Sequence, residues 1–181
     1  MRYFLVFILA LAFPVHAQQL SDEYNIIGQM DTIYDGTETE FFIATRPERE
    51  DSFAEIKVFM GREMLQITGV SAAENGSYDN PMLSFTIGLN GNSLGMMNSL
   101  GVMEAGRDMK HPTEAIGIEG ELEITNFSRS DGGTVSFDFN ASAVRKVIND
   151  EWEQSPEDGM PHLPISGHVE LVIPAEFIAE S

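Results

Sequence analysis

The pattern Met-x-His occurs twice in this chain, as Met109-Lys110-His111 and Met160-Pro161-His162. Thioether and imidazole together suit copper. Thioether is soft and selects Cu(I), whereas imidazole serves either oxidation state. Beyond residue 17 the only histidines are His111, His162 and His168, so two of the three fall in these pairs. There is no cysteine, so methionine is the sulfur donor on offer. The spacing predicts one copper ion held by Met109, His111, Met160 and His162, if two loops converge. The competing reading is that methionine is a flexible core filler and that a loop histidine beside proline is merely solvated.

A second cluster of methionines precedes the first pair. In "NSLGMMNSLG" at 92–101 the tetrapeptide Asn-Ser-Leu-Gly flanks Met96 and Met97, and Met103 and Met109 follow. As a helix this stretch carries Gly95 and Gly101, each costing about 1 kcal/mol against alanine. As a strand its alternation fails at Asn98. Residues 92–114 therefore read as a long connection, and connections of that length are often functional. Met96 and Met97 would plug an end of the fold or offer an adaptable apolar surface to a partner. Trp152 is the only tryptophan. Exposed, it would stack on a glycan or anchor a protein contact; on an apolar helix face it would be core.

Other chemistries have weaker support. Glu119, Glu121 and Glu123 share one strand face with Asp138 and Glu170 nearby. Three alternate positions span about 13 Å, too far to share one Ca²⁺, so a solvated face is expected. Asp35 and Asp131 sit in Asp-Gly turns. His168 lies two positions from Glu170, yet no serine stands out as its nucleophile. No nucleophile elbow, zinc-protease helix, phosphate loop or dinucleotide fingerprint is present. A non-enzymatic role is the expectation.

The elements that would position these residues are strands. In "TVSFDFNASA" at 134–143, Val135, Phe137, Phe139 and Ala141 alternate with polar residues, the pattern of a half-buried strand. "AIGIEGELEIT" at 115–125 alternates too, placing Ile116, Ile118, Leu122 and Ile124 inward. Asp131-Gly132-Gly133 lies between the two runs, so a hairpin over 115–141 is expected. Further strands are expected at 24–34, 39–45, 53–59, 64–70, 82–89 and 164–174, with Gly-containing turns between most neighbours. In "SAVRKVINDEW" at 142–152, Val144, Val147, Ile148 and Trp152 fall on one helical face. The fold class expected is all-β: an antiparallel β-sandwich of about eight strands with one short helix and the long Met-rich connection.

The N-terminus carries an address. Arg2, the apolar run 3–13, Pro14 and the small residues Val15 and Ala17 form a secretory signal peptide over 1–17, leaving 18–181 as a single domain. A secreted chain without cysteine suits a bacterial periplasm or the extracellular medium. Without Arg2 it keeps nine basic residues against 29 acidic ones. That charge repels nucleic acid and anionic lipid, and no other apolar run is long enough to cross a membrane. The leading expectation is a secreted binding or accessory protein for a protein, glycan or small ligand; the alternative is a periplasmic copper-binding protein.

Overall fold

The computed structural model describes residues 20–116 and 120–179. The expected signal peptide, and Gly117, Ile118 and Glu119 of the alternating run, lie outside the described residues. Among the described residues no helix is long and apolar enough to cross a membrane.

The alternating runs become strands as expected. β1 (Asn25–Tyr34) and β2 (Thr37–Arg46) form a hairpin. Its turn residues Asp35 and Gly36 have φ of 48° and 79°, the left-handed pair that a two-residue turn of matching twist requires. β3 (Asp51–Ser52) is short, and β4 (Ala54–Phe59) and β5 (Arg62–Ala72) make the next hairpin across Met60 and Gly61. β6 (Tyr78–Asn90), β7 (Ser93–Leu94), β8 (Ser99–Met103), β9 (Thr113–Ile116), β10 (Glu121–Arg129), β11 (Thr134–Ile148), β12 (Gln154–Pro156) and β13 (Leu163–Val172) follow. The neighbours along the sheet run β3-β2-β1-β13-β11-β9-β8-β6-β5-β4, and their pairings are antiparallel. β2 also pairs with β5 at Phe42 and Val70. The sheet thus curls over until its halves face each other, sandwich-like, and eight of the strands close a ring.

One core fills the interior. Met30, Phe41, Leu65, Phe85, Leu100, Phe137 and Val169, drawn from seven strands, are all at most 1% exposed. Phe85 meets Phe137 and Phe139 edge-on at 5.5 and 4.9 Å between ring centres, a favoured aromatic geometry. At the seam Phe41 to Thr45 are buried without a break. Phe42 and Ala44 there face a smaller cluster with Leu20, Val70 and Ala72.

Three expectations are corrected. Residues 142–148 are not a helix: β11 runs through them, pairing with β9, β12 and β13. Val144, Val147 and Ile148 are β-branched, and neighbours on both edges reward extension over helical spacing. The stretch 92–114 is not one long connection, because β8 crosses it between β6 and β9 with Leu100 and Val102 turned inward. The run 115–125 is not one strand. The chain takes Glu114 to Glu121 to advance from Val144 to Ser142 on β11, so parity shifts. Ala115 is buried, while Ile116 is 44% exposed.

Candidate functional site

Three neighbouring strands build a platform on the outer surface. Inward positions Leu83, Phe85, Leu100, Val102, Thr113 and Ala115 belong to the core side, so the residues between them face out. Met82 lies opposite Met103, Ser84 opposite Gly101, and Gly101 opposite Glu114. Gly101 brings no side chain, and a Cβ there would meet only the Ser84 carbonyl, at 3.9 Å. The outcome is a cleft of about 440 Å³, floored by Met82, Gly101 and Met103 and walled by Met109, Asp108 and His111.

The wall is the loop 104–112, held by charge. Val102 points inward, and two residues later Glu104 does the same at the mouth of the ring. There it receives Arg145 Nη2 at 2.7 Å, Arg145 Nε at 3.0 Å and Thr113 Oγ1 at 2.6 Å. Burial raises the Glu104 carboxyl, but the hydrogen bonds from Arg145 and Thr113 and two guanidinium charges outweigh it and hold it below its ordinary value. Tyr34 lies near, its phenol pushed up to about 12 by burial. Arg107 Nε donates to the His111 carbonyl at 2.9 Å, and its Nη2 reaches the Lys146 carbonyl at 3.1 Å and Glu157 at 2.9 Å. The backbone completes the anchorage: Lys146 N–H donates to the Pro112 carbonyl and Ile148 N–H to that of Lys110, both at 2.8 Å.

Within the loop, Asp108 Oδ1 accepts the Lys110 N–H at 2.9 Å and lies 2.7 Å from His111 Nδ1. The hydrogen bond with His111, and then that from Lys110, hold the Asp108 carboxyl below its ordinary value. The contact also sets the imidazole. Nδ1 faces the carboxylate, leaving Nε2 as the free lone pair of the neutral ring.

The residues singled out by sequence separate into groups. Met109 and His111 belong to the cleft. Met160 and His162 lie beyond the other edge of β11. Glu157 N–H donates to the Arg145 carbonyl at 2.9 Å, Arg145 Nη1 donates to the Pro161 carbonyl at 3.1 Å, and His162 Nδ1 lies 3.0 Å from Ser142 Oγ. The two Met-x-His segments therefore flank one strand, each tied by an arginine to the shared Glu104 carboxylate.

Trp152 is not core. It is 83% exposed, with φ of 63°, at the tip of the β11–β12 hairpin. Asn149 builds that turn: its side-chain oxygen accepts the Glu151 and Glu153 N–H groups at 3.0 and 2.8 Å. Met96 and Met97 plug nothing, at 86% and 68% exposure. Sequence reasoning missed Met82, Met103 and Gly101 because they meet across strands, and only the register brings them together.

The opposite flank brings His168 to a serine. His168 Nδ1 lies 2.7 Å from Asp138 Oδ1, its Nε2 lies 3.4 Å from Ser136 Oγ, and Asn126 donates to Asp138 Oδ2 at 2.6 Å. Hydrogen bonds from Asn126 and then His168 hold Asp138 below its ordinary value. The line resembles a nucleophile, base and acid, but its surroundings oppose acyl transfer. β11 is paired on both edges at Ser136, with Ser128 and Glu170, so its backbone is committed to the ladder. Glu170 and Asp138 would repel an oxyanion. The arrangement is a polar brace across β10, β11 and β13. Compared with protein-family models, curated proteins and solved structures, the chain matches none.

Proposed function

We propose that this chain is a secreted, non-enzymatic binding protein of the periplasm or extracellular medium, and that its ligand seats in the cleft beneath the 104–112 loop. The observation that carries the reading is the composition of that cleft. Its volume of about 440 Å³ falls within the 300–1,000 Å³ typical of ligand sites. Its floor is apolar, and Ser84, Asp108, His111 and Glu114 bring polar groups to its sides. Polar anchors converging on an apolar floor hold and orient a small ligand. The loop forming the wall is fastened by a carboxylate with two arginine partners, so the cavity exists before a ligand arrives, and binding need not bear the cost of ordering it.

Gly101 offers the test. It has no strained backbone angle and open space before it, so Gly101→Phe fills the cleft from its floor without disturbing the core. An apolar fluorescent dye such as anilinonaphthalene sulfonate should bind the wild-type protein saturably at one site. The Gly101→Phe variant should lose that binding while its thermal midpoint moves by no more than about 4 °C, the equivalent of roughly 1 kcal/mol. Equal dye binding in both proteins would place the apolar site elsewhere and end the proposal.

A further inference from the structure

Resting on the cleft as the binding site, we infer that it takes a soft monovalent metal ion, Cu(I), through the thioethers of Met82, Met103 and Met109 and through Nε2 of His111. All four side chains line the one cleft. Met82 and Met103 are direct cross-strand partners on β6 and β8, which puts their Cβ atoms about 5 Å apart on the same face. Met109 stands on the wall above them, 91% exposed, and Met103 is 51% exposed. An unbranched thioether side chain has three rotatable bonds, which gives both sulfurs the freedom that a shared ion requires.

His111 is already prepared as a ligand. Metal-binding imidazoles give their other ring nitrogen to a carboxylate, which fixes the tautomer and the ring plane. Asp108, itself held by the Lys110 N–H, does this at Nδ1, 2.7 Å away. The hard oxygen donors around the cleft are engaged elsewhere. Glu104 is bound by Arg145, and Glu114 Oε1 accepts Lys146 Nζ at 2.7 Å. Among the described residues no group of three His, Cys, Asp or Glu side chains could hold a metal ion. A donor set of sulfur and imidazole selects Cu(I) over Ca²⁺ or Mg²⁺, which demand oxygen. Arg107, the cationic side chain of the cleft lining, has its charge met by Glu104 and Glu157.

This donor set shares Met109 and His111 with the two-pair arrangement read from sequence. It replaces Met160 and His162, which lie across β11, with Met82 and Met103. The methionines elsewhere are differently placed. Met97 Sδ lies 3.9 Å from the Arg62 guanidinium, a cation that opposes a second one.

Titration calorimetry with Ag(I), a redox-inert stand-in, and competition for Cu(I) against bicinchoninate under anaerobic conditions test the assignment. The secreted chain should take one ion with a Kd below about 1 µM. Met103→Leu, Met109→Leu and Asp108→Asn should each weaken binding by about tenfold or more, whereas Met97→Leu should leave it unchanged. Leucine conserves volume, so folding should survive these changes. The inference is overturned by binding weaker than about 10 µM, by full affinity in the Met103→Leu/Met109→Leu double variant, or by equal losses in Met96→Leu/Met97→Leu. If dye binding still responds to Gly101→Phe while neither ion binds, the cleft stands and the Cu(I) assignment falls. If the ion binds with the stated donor dependence while the dye finds no site, the assignment stands and the apolar-ligand test of the cleft has failed.

Discussion

Two methionine-bearing loops leave the two ends of β8, and they differ in what holds them. Before β8, Met96 and Met97 sit on a tight reversal where Gly95 N–H donates to the Gly88 carbonyl at 2.7 Å. Met97 is left with φ of 73°, and both side chains lie open to solvent. After β8, the loop carrying Met109 is fastened by Glu104, Arg107 and Arg145 and by two backbone hydrogen bonds to β11. Residue type is shared; environment is not. A largely buried ion cluster specifies one geometry for the second loop and so fixes the backbone that sets Met109, itself 91% exposed, beside the cleft, whereas Met96 and Met97 line a separate hollow with Arg62 and Met64. Among the described residues, the first loop's hydrogen bonds are short-range turn bonds and one weak sulfur contact to Arg62.

The largest expected effect removes that difference. Glu104 and Arg145 side chains are 14% and 12% exposed. Losing one partner of a buried pair costs about 3–5 kcal/mol. Glu104→Gln should fall near the lower end, since Thr113 can still bond to the amide. Urea unfolding measures the cost. Amide exchange should accelerate across 105–112 and remain unchanged across 95–98. A loss below about 1 kcal/mol would mean that the cluster behaves as an ordinary surface pair and that the two loops are alike.

The same carboxylate predicts a dependence on pH. Its pKa is depressed in the folded state, so its stabilisation is fully present above the unfolded value. It is lost as pH falls through the folded value, because the unfolded chain takes up the proton more readily. Stability of the wild-type protein should therefore decline below about pH 4.5, and this decline should be shallower in Glu104→Gln. Parallel curves would assign the acid sensitivity to other carboxylates.

The smallest effect lies on the other loop. A non-glycine residue in the left-handed region carries a cost of about 1–2 kcal/mol, which asparagine bears more readily. Met97→Asn should raise stability by roughly 0.5 kcal/mol and leave dye and Ag(I) binding untouched. A loss of either ligand would show that the first loop takes part in binding.

Strands with long alternation were legible, because one wet face and one dry face leave a period-two imprint. β11 shows this over Val135, Phe137, Phe139 and Ala141. The imprint vanishes where both faces are covered. Ala143 and Val144 are both buried, so the alternation breaks between them, and the β-branched residues beyond mimic a helix. β8 was hidden for another reason: five residues with Gly101 at the centre give too short a pattern. Of the site, Met109 and His111 were visible as a local motif. Met82, Glu104 and Arg145 were not, since Glu104 and Arg145 are 41 positions apart and no local period joins them. The exposure of Trp152 was concealed by its spacing from Val144 and Ile148; the chain leaves β11 at Ile148, and Trp152 falls inside the turn that Asn149 builds.

The central claim is that the cleft beneath the ion-fastened loop, and not the Met96–Met97 loop, is where this protein binds. Methyl-labelled methionine resonances followed during titration with the aromatic dye test it most directly, since a bound ring shifts the methyl groups beside it. The account predicts saturable shifts at Met82, Met103 and Met109, with Met60, Met96 and Met97 stationary. Shifts confined to Met96 and Met97, with Met82 and Met103 unmoved, would contradict it.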